Sequence, residues 1–155
     1  MILPDANLLI YAVNRDAPYH ELARSWLESE LSGTTPVGMP WLVLIAFIRL
    51  TTSPRIFESP LTPEVALDLV SGWLEQPCVT LINPGDRHWL ILSRLLRRDG
   101  TAGNLTNDAH LAALAIEYNA TLYSADHDFR RFEGLDYVNP LSGSRLQESA
   151  EAYSL

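Results

Sequence analysis

The sequence predicts an α/β fold, with a central parallel sheet of four to five strands flanked by helices on both faces. Short apolar runs alternate with longer stretches of helical period, the pattern of parallel strands joined by crossover helices. The chain has 155 residues, 47 % hydrophobic and 19 % charged, which suits one globular domain with a real core. No repeat, low-complexity tract or linker divides it.

The elements follow in order. Ile2-Leu3-Pro4-Asp5 reads as a short strand, because Pro4 lacks an N–H for the ladder. Ala6 to Val13 has helical potential, with Asp5 or Asn7 as its cap. Tyr19 to Leu31 is amphipathic, with Leu22, Ala23, Trp26, Leu27 and Leu31 at helical steps. Pro36 to Met39 is a second strand. Pro40 then starts a helix through Leu50 that is apolar nearly all round, so burial is expected. Thr62-Pro63-Glu64-Val65 has the cap-then-proline form of a helix start, and that helix runs to Leu74. Val79 to Ile82 is a third strand and Arg87 to Arg98 a helix. A polar loop leads to a helix from Asp108 to Tyr118. Ala120 to Ser124 is a fourth strand, Phe129 to Phe132 one helical turn, and Tyr137-Val138-Asn139 an edge strand. Residues 1–141 form the domain and 142–155 a polar tail.

Composition removes several classes of function. No apolar run reaches the roughly 20 residues of a membrane span, and no basic-then-apolar leader opens the chain, so the cytoplasm is expected. The single cysteine, Cys78, fits a reducing compartment. The net charge is −8 and every basic residue is arginine. With no lysine there is no phosphate-loop motif, and no Gly-x-Ser-x-Gly elbow is present. Overall acidity argues against generic nucleic-acid affinity, but a cluster of acids holding a cation inflates the negative count. Arg87, Arg94, Arg97 and Arg98, and the pair Arg130 and Arg131, are local basic groups or simply solvated faces.

In open α/β sheets, ligands collect beyond the carboxyl ends of the strands. Asp5 ends the first strand there, and Asp126 with Asp128 follows the fourth. Asp108 opens a helix of about 11 residues, on the order of 16 Å long. That helix runs antiparallel to the strand it feeds, so its start returns to the same rim. Taken singly, each acid has a structural reading as a cap or an Asx turn. Three or four carboxylates on one rim repel, and one must take a proton unless a cation sits among them. The expected guest is a hard, oxygen-loving ion, Mg2+ or Mn2+. No Cys/His cluster has zinc spacing, and His110 and His127 are read as surface or supporting residues. Phosphodiester hydrolysis is the chemistry best supported.

Three segments carry a resemblance. Asp5-Ala6-Asn7, Asn107-Asp108-Ala109-His110-Leu111-Ala112-Ala113-Leu114-Ala115, and Ser124-Ala125-Asp126-His127-Asp128-Phe129-Arg130-Arg131-Phe132 resemble the PIN-domain ribonucleases, above all the VapC toxins of toxin–antitoxin pairs. Thr52 to Phe57 is similar to a segment of one VapC subgroup. The likeness runs along essentially the whole chain. It implies a PIN-like fold, Mg2+ or Mn2+ dependence, endonucleolytic cleavage of RNA, dimerisation and inhibition by a VapB antitoxin. Position by position, it implies that Asp5, Asp108 and Asp126 are catalytic metal-site acids and Asp128 a further catalytic acid. Asn7 and Ser124 match supporting polar positions, and Arg49 is kept. One departure stands out: Ala46 occupies the place of the family's usual helix glutamate, and Glu58 substitutes only if its loop folds back. The alternative reading is therefore a PIN-like module that binds RNA or an antitoxin with weak or no catalysis.

Overall fold

The structure is a computed structural model that describes residues 1–100 and 102–142; the predicted tail from 143 onward lies outside the described residues. The expected α/β architecture is present. Strands β1 (Ile2–Pro4), β2 (Val37–Pro40), β3 (Val79–Ile82), β4 (Thr121–Tyr123) and β5 (Asp136–Val138) alternate with helices α1 (Ala6–Val13), α2 (His20–Leu31), α3 (Trp41–Thr51), α4 (Pro63–Leu74), α5 (His88–Asp99) and α6 (Thr106–Glu117). Short 3-10 turns occupy Gly103–Leu105 and His127–Arg131. Among the described residues, no helix is long and apolar enough to cross a membrane.

All strand pairs are parallel, in the order β3-β2-β1-β4-β5. From β1 the chain steps outward to β2 and β3, then returns across the sheet to β4. Right-handed crossovers on these opposite paths place α1 to α4 on one face and α5 with α6 on the other. The packing agrees: α1 lies on α2 and α3, α3 on α4, and α5 on α6. The reversal puts a switch point between β1 and β4, where a crevice opens beyond the strand ends.

Pro4 shapes this crevice. The Ile2 amide donates toward β2, to Pro36 at 2.9 Å, and two residues on Pro4 has no amide to repeat the bond. The registered pairing of β1 with β2 stops at Ile2 opposite Val37, while pairing with β4 continues to Pro4 opposite Tyr123. The Asp5 amide, facing the other way, closes on the Tyr123 carbonyl at 2.8 Å. Asp5 therefore leaves the sheet at the switch point, held against β4.

Two helices differ from expectation. α6 starts at Thr106, after a 3-10 turn, so Asp108 sits inside its first turn rather than before it. In α3, Val43, Leu44, Ala46, Phe47 and Leu50 are buried, but Trp41 and Ile45 are 50 % and 57 % exposed and Arg49 is exposed beside them. A helix apolar all round has only one face to give the sheet, and among the described residues Trp41 and Ile45 on the other stay uncovered. Elsewhere local chemistry matches structure. Thr62 caps α4 by accepting from the Val65 amide at 3.3 Å, with Pro63 next in line. Gly100 ends α5 in the left-handed conformation at φ 72°.

Candidate active site

Asp5 is the N-cap of α1. One carboxylate oxygen, Oδ1, accepts from the Ala6 amide at 2.7 Å. The other, Oδ2, accepts from the Ser124 hydroxyl at 2.7 Å and from Asn7 Nδ2 at 3.4 Å. Ser124, just past β4, in turn accepts from Asn7 Nδ2 at 3.1 Å and from the Asp126 amide at 3.0 Å. Asn7 Oδ1 accepts from the Ala125 amide at 3.3 Å. Tyr137 on β5 donates its hydroxyl to the Ser124 carbonyl at 3.1 Å. These bonds tie the ends of β1, β4 and β5 together, and every link is buried or part-buried, where hydrogen bonds hold geometry best.

Asp126 caps the turn at His127–Arg131, its Oδ1 accepting from the Asp128 amide at 2.9 Å. Fully buried Phe129 anchors that turn beneath it. Asp128 is exposed on the turn. Asp108 comes from the other side of the crevice, in the first turn of α6, and is 3 % exposed. The buried run Ala109, Leu111, Ala112, Ala113, Leu114 and Ala115 fixes α6 against the sheet and so fixes Asp108.

Electrostatics shows that the predicted acids converge. Burial pushes the Asp108 carboxyl up to about 7 from an ordinary 3.8. The carboxylates of Asp5, Asp126 and Asp128 push it further, and only Arg131 pulls against them. Burial likewise raises Asp5 to about 6; the Ser124 and Ala6 hydrogen bonds oppose the rise and Asp126 adds to it. Two nearly buried acids are thus raised by burial first, with Asp126 adding to both and Asp5 and Asp128 adding at Asp108, a costly arrangement without a counter-charge.

Asp5, Asn7, Asp108, Ser124, Asp126 and Asp128 therefore come together as the sequence suggested. Arg49 does not join them: it is exposed in the last turn of α3, with no ion pair to these acids among the described residues. Ala46 is buried in the same helix, and Glu58 is exposed in its loop, so neither adds an acid. Sequence reading missed Arg131 as part of the site. Its guanidinium pairs with Asp99 at 3.3 Å and approaches Asp128 at 4.0 Å. The i, i+3 spacing of Asp128 and Arg131 was the available clue. Arg98 instead pairs with Glu133, away from the rim. His110 also points elsewhere, toward His88, while Nδ1 of His127 is buried without a hydrogen-bond partner.

The donor set is all oxygen, which suits a hard divalent ion rather than zinc. Among the described residues, no three acidic, histidine or cysteine side chains are gathered closely enough to hold an ion as they stand. Asp126 commits one oxygen to the Asp128 amide.

Comparison with known proteins gives the family. Residues 2–135 match the PIN domain. The chain is 47 % identical over 140 residues to Ribonuclease VapC37 of Mycobacterium tuberculosis, covering 90 % of this chain and 97 % of that protein. It is 43 % identical over 141 residues to Ribonuclease VapC33 of the same species, covering 91 % and 99 %. VapBC2 from Rickettsia felis, solved with a promoter DNA fragment, contains a chain of the same fold: TM-score 0.64, 24 % identity, covering 90 % of this chain and 98 % of that one. VapBC-1 from nontypeable Haemophilus influenzae gives a TM-score of 0.64 at 20 % identity, covering 90 % and 98 %. The chain belongs to the PIN domain family, in its VapC branch.

Proposed function

We propose that this protein is the endoribonuclease toxin of a toxin–antitoxin pair, and that it works with Mg2+ or Mn2+ held by Asp5, Asp108 and Asp126. The observation that carries the metal reading is the pair of buried carboxylates, Asp5 and Asp108, raised to about 6 and about 7 by burial, with Asp126 adding to both. A divalent ion there lowers the pKa of bound water and offsets charge on the phosphoryl group during hydrolysis of the RNA backbone.

The chain's own residues have separate tasks. Ser124 aims Oδ2 of Asp5, and Asn7 holds both Ser124 and the Ala125 amide. The turn at His127–Arg131 sets Asp126 and offers Asp128 at the solvent edge, where a water can be positioned. Arg131 supplies an opposing positive charge felt by Asp108. The exposed arginines of α5 and Arg49 remain candidates for contact with the RNA backbone.

A VapB-like antitoxin is the proposed partner, by analogy with relatives solved as VapBC assemblies. A homodimer is proposed as well; exposed Trp41, Ile45, Trp89 and Leu90 are more apolar surface than a monomer needs. The second functional reading is a binding module with weak catalysis, and buried Ala46 in place of an acid favours it. One experiment separates the two. Purified wild type and Asp108→Asn are incubated with cellular RNA and Mg2+ or Mn2+, and new 5′ ends are sequenced. Sites cut by the wild type alone support the nuclease; RNA or antitoxin binding with no new ends supports the module.

A further inference from the structure

Away from the acid rim, α5 and α6 each turn a histidine toward the other. His88 Nε2 and His110 Nδ1 are 3.0 Å apart. The ring centroids are 4.8 Å apart, with planes at 73°. Two residues along a helix is about 200° of rotation, so His110 faces α5 although Asp108 faces the crevice. We propose that His88 and His110 form a second metal site, separate from the acids: a two-imidazole clamp for Zn2+ or Ni2+, completed by water.

The geometry carries this. An ion about 2.05 Å from each nitrogen, at ligand angles between octahedral and tetrahedral, sets the nitrogens about 2.9–3.3 Å apart. With each ring centroid about 1.1 Å behind its nitrogen, the same ion sets the centroids about 4.5–5.2 Å apart. The observed separations of 3.0 Å and 4.8 Å meet both conditions. A straight hydrogen bond between those nitrogens puts the centroids about 5.3 Å apart, so the contact at 4.8 Å is a bent one.

Nor does the pair close as a structural network. His88 is 8 % exposed, and its Nδ1 is buried without a hydrogen-bond partner. In one tautomer this nitrogen is a bare acceptor, in the other an orphaned donor. Glu117, the charged neighbour of His88, is turned to the backbone, its oxygens accepting from the Gly85 and Arg87 amides at 2.7 and 2.9 Å, and among the described residues no third acid, histidine or cysteine completes a cluster with the pair. Two imidazoles and water are thus the donor set. Imidazole suits zinc, nickel or copper, whereas magnesium is held by oxygen donors, so the nitrogen pair is a site that Mg2+ leaves free. An ion between α5 and α6 also pins the opening turns of the helix that carries Asp108.

The test is calorimetric titration of tag-free protein with NiCl2 and with ZnCl2. Wild type, His110→Ala, His88→Gln and Asp108→Asn are compared, and circular dichroism confirms the fold of each. The proposal expects the nitrogen-held Ni2+ event to weaken at least roughly ten-fold in both histidine variants and to persist in Asp108→Asn, which removes only the Ni2+ taken by the acids. Equal binding in all four proteins overturns it, as does a loss confined to Asp108→Asn. If His88→Gln does not fold, imidazole nitrogen NMR of the wild type decides. Zn2+ must shift the His88 and His110 ring nitrogens before those of His20 and His127; unmoved resonances overturn the proposal.

Discussion

Replacing Asp108 by Asn should stabilise the metal-free protein while removing its activity. Asp108 is 3 % exposed and its carboxyl is pushed up to about 7 from an ordinary 3.8. Each unit of such a shift corresponds to about 1.4 kcal/mol, so ionising this group in the fold costs at most about 4 kcal/mol. Two effects reduce that figure. The repulsion is shared with Asp5, and Asn gives up roughly 0.3–1 kcal/mol of favourable interaction with the start of α6. A net gain of about 1–3 kcal/mol remains, on the order of 3–10 °C in Tm for a chain of this length. The sign follows from linkage. A folded pKa above the unfolded one means that the folded protein binds more protons between about pH 4 and 7, so wild-type stability falls as pH rises through that window. The Asn variant lacks this fall. Thermal melts in EDTA should therefore separate the two proteins at pH 8 and bring them together near pH 4. A variant less stable than wild type at pH 8 would refute the reasoning and leave Asp108 as a simple helix cap.

Four further outcomes follow from the same geometry. Adding Mg2+ at 100 times its Kd should raise wild-type stability by about 2.7 kcal/mol and leave Asp108→Asn nearly unmoved; equal shifts would place the ion elsewhere. Ser124→Ala removes the donor to Asp5 and the acceptor for the Asp126 amide, costing about 1–3 kcal/mol in urea denaturation, with a further rise in the Asp5 pKa by carboxyl NMR. Phe129→Ala empties the anchor under the His127–Arg131 turn and should cost about 3–5 kcal/mol; a loss below about 1 kcal/mol would show that the turn is not packed. Tyr137→Phe deletes the bond to the Ser124 carbonyl, for about 0.5–1.5 kcal/mol, and reduces cleavage without abolishing it.

Much of the fold was legible because its signals are local. Pro4 and the acid after it announce a short strand that ends abruptly. Thr62-Pro63 and Gly100 mark helix ends by their own backbone chemistry. The convergence of Asp5, Asp108, Asp126 and Asp128 was legible too, since parallel topology sends every strand end and every returning helix start to one edge. What escaped was long-range or cooperative. Arg131 reaches Asp99 across 32 residues, and His88 meets His110 across 22. Neither pairing leaves a mark on local spacing. The exposed Trp41 and Ile45 of α3 misled for another reason: an apolar residue does not state whether its cover comes from its own chain.

The most direct measurement is RNA cleavage by metal-free protein to which Mg2+ or Mn2+ is restored, comparing wild type with Asp5→Asn and Asp108→Asn. The proposed function predicts cleavage by wild type only when the ion is present, and background turnover by both variants although they remain folded. Undiminished cleavage by a folded Asp5→Asn, Asp108→Asn double variant would contradict the acid-held cation as the reaction centre.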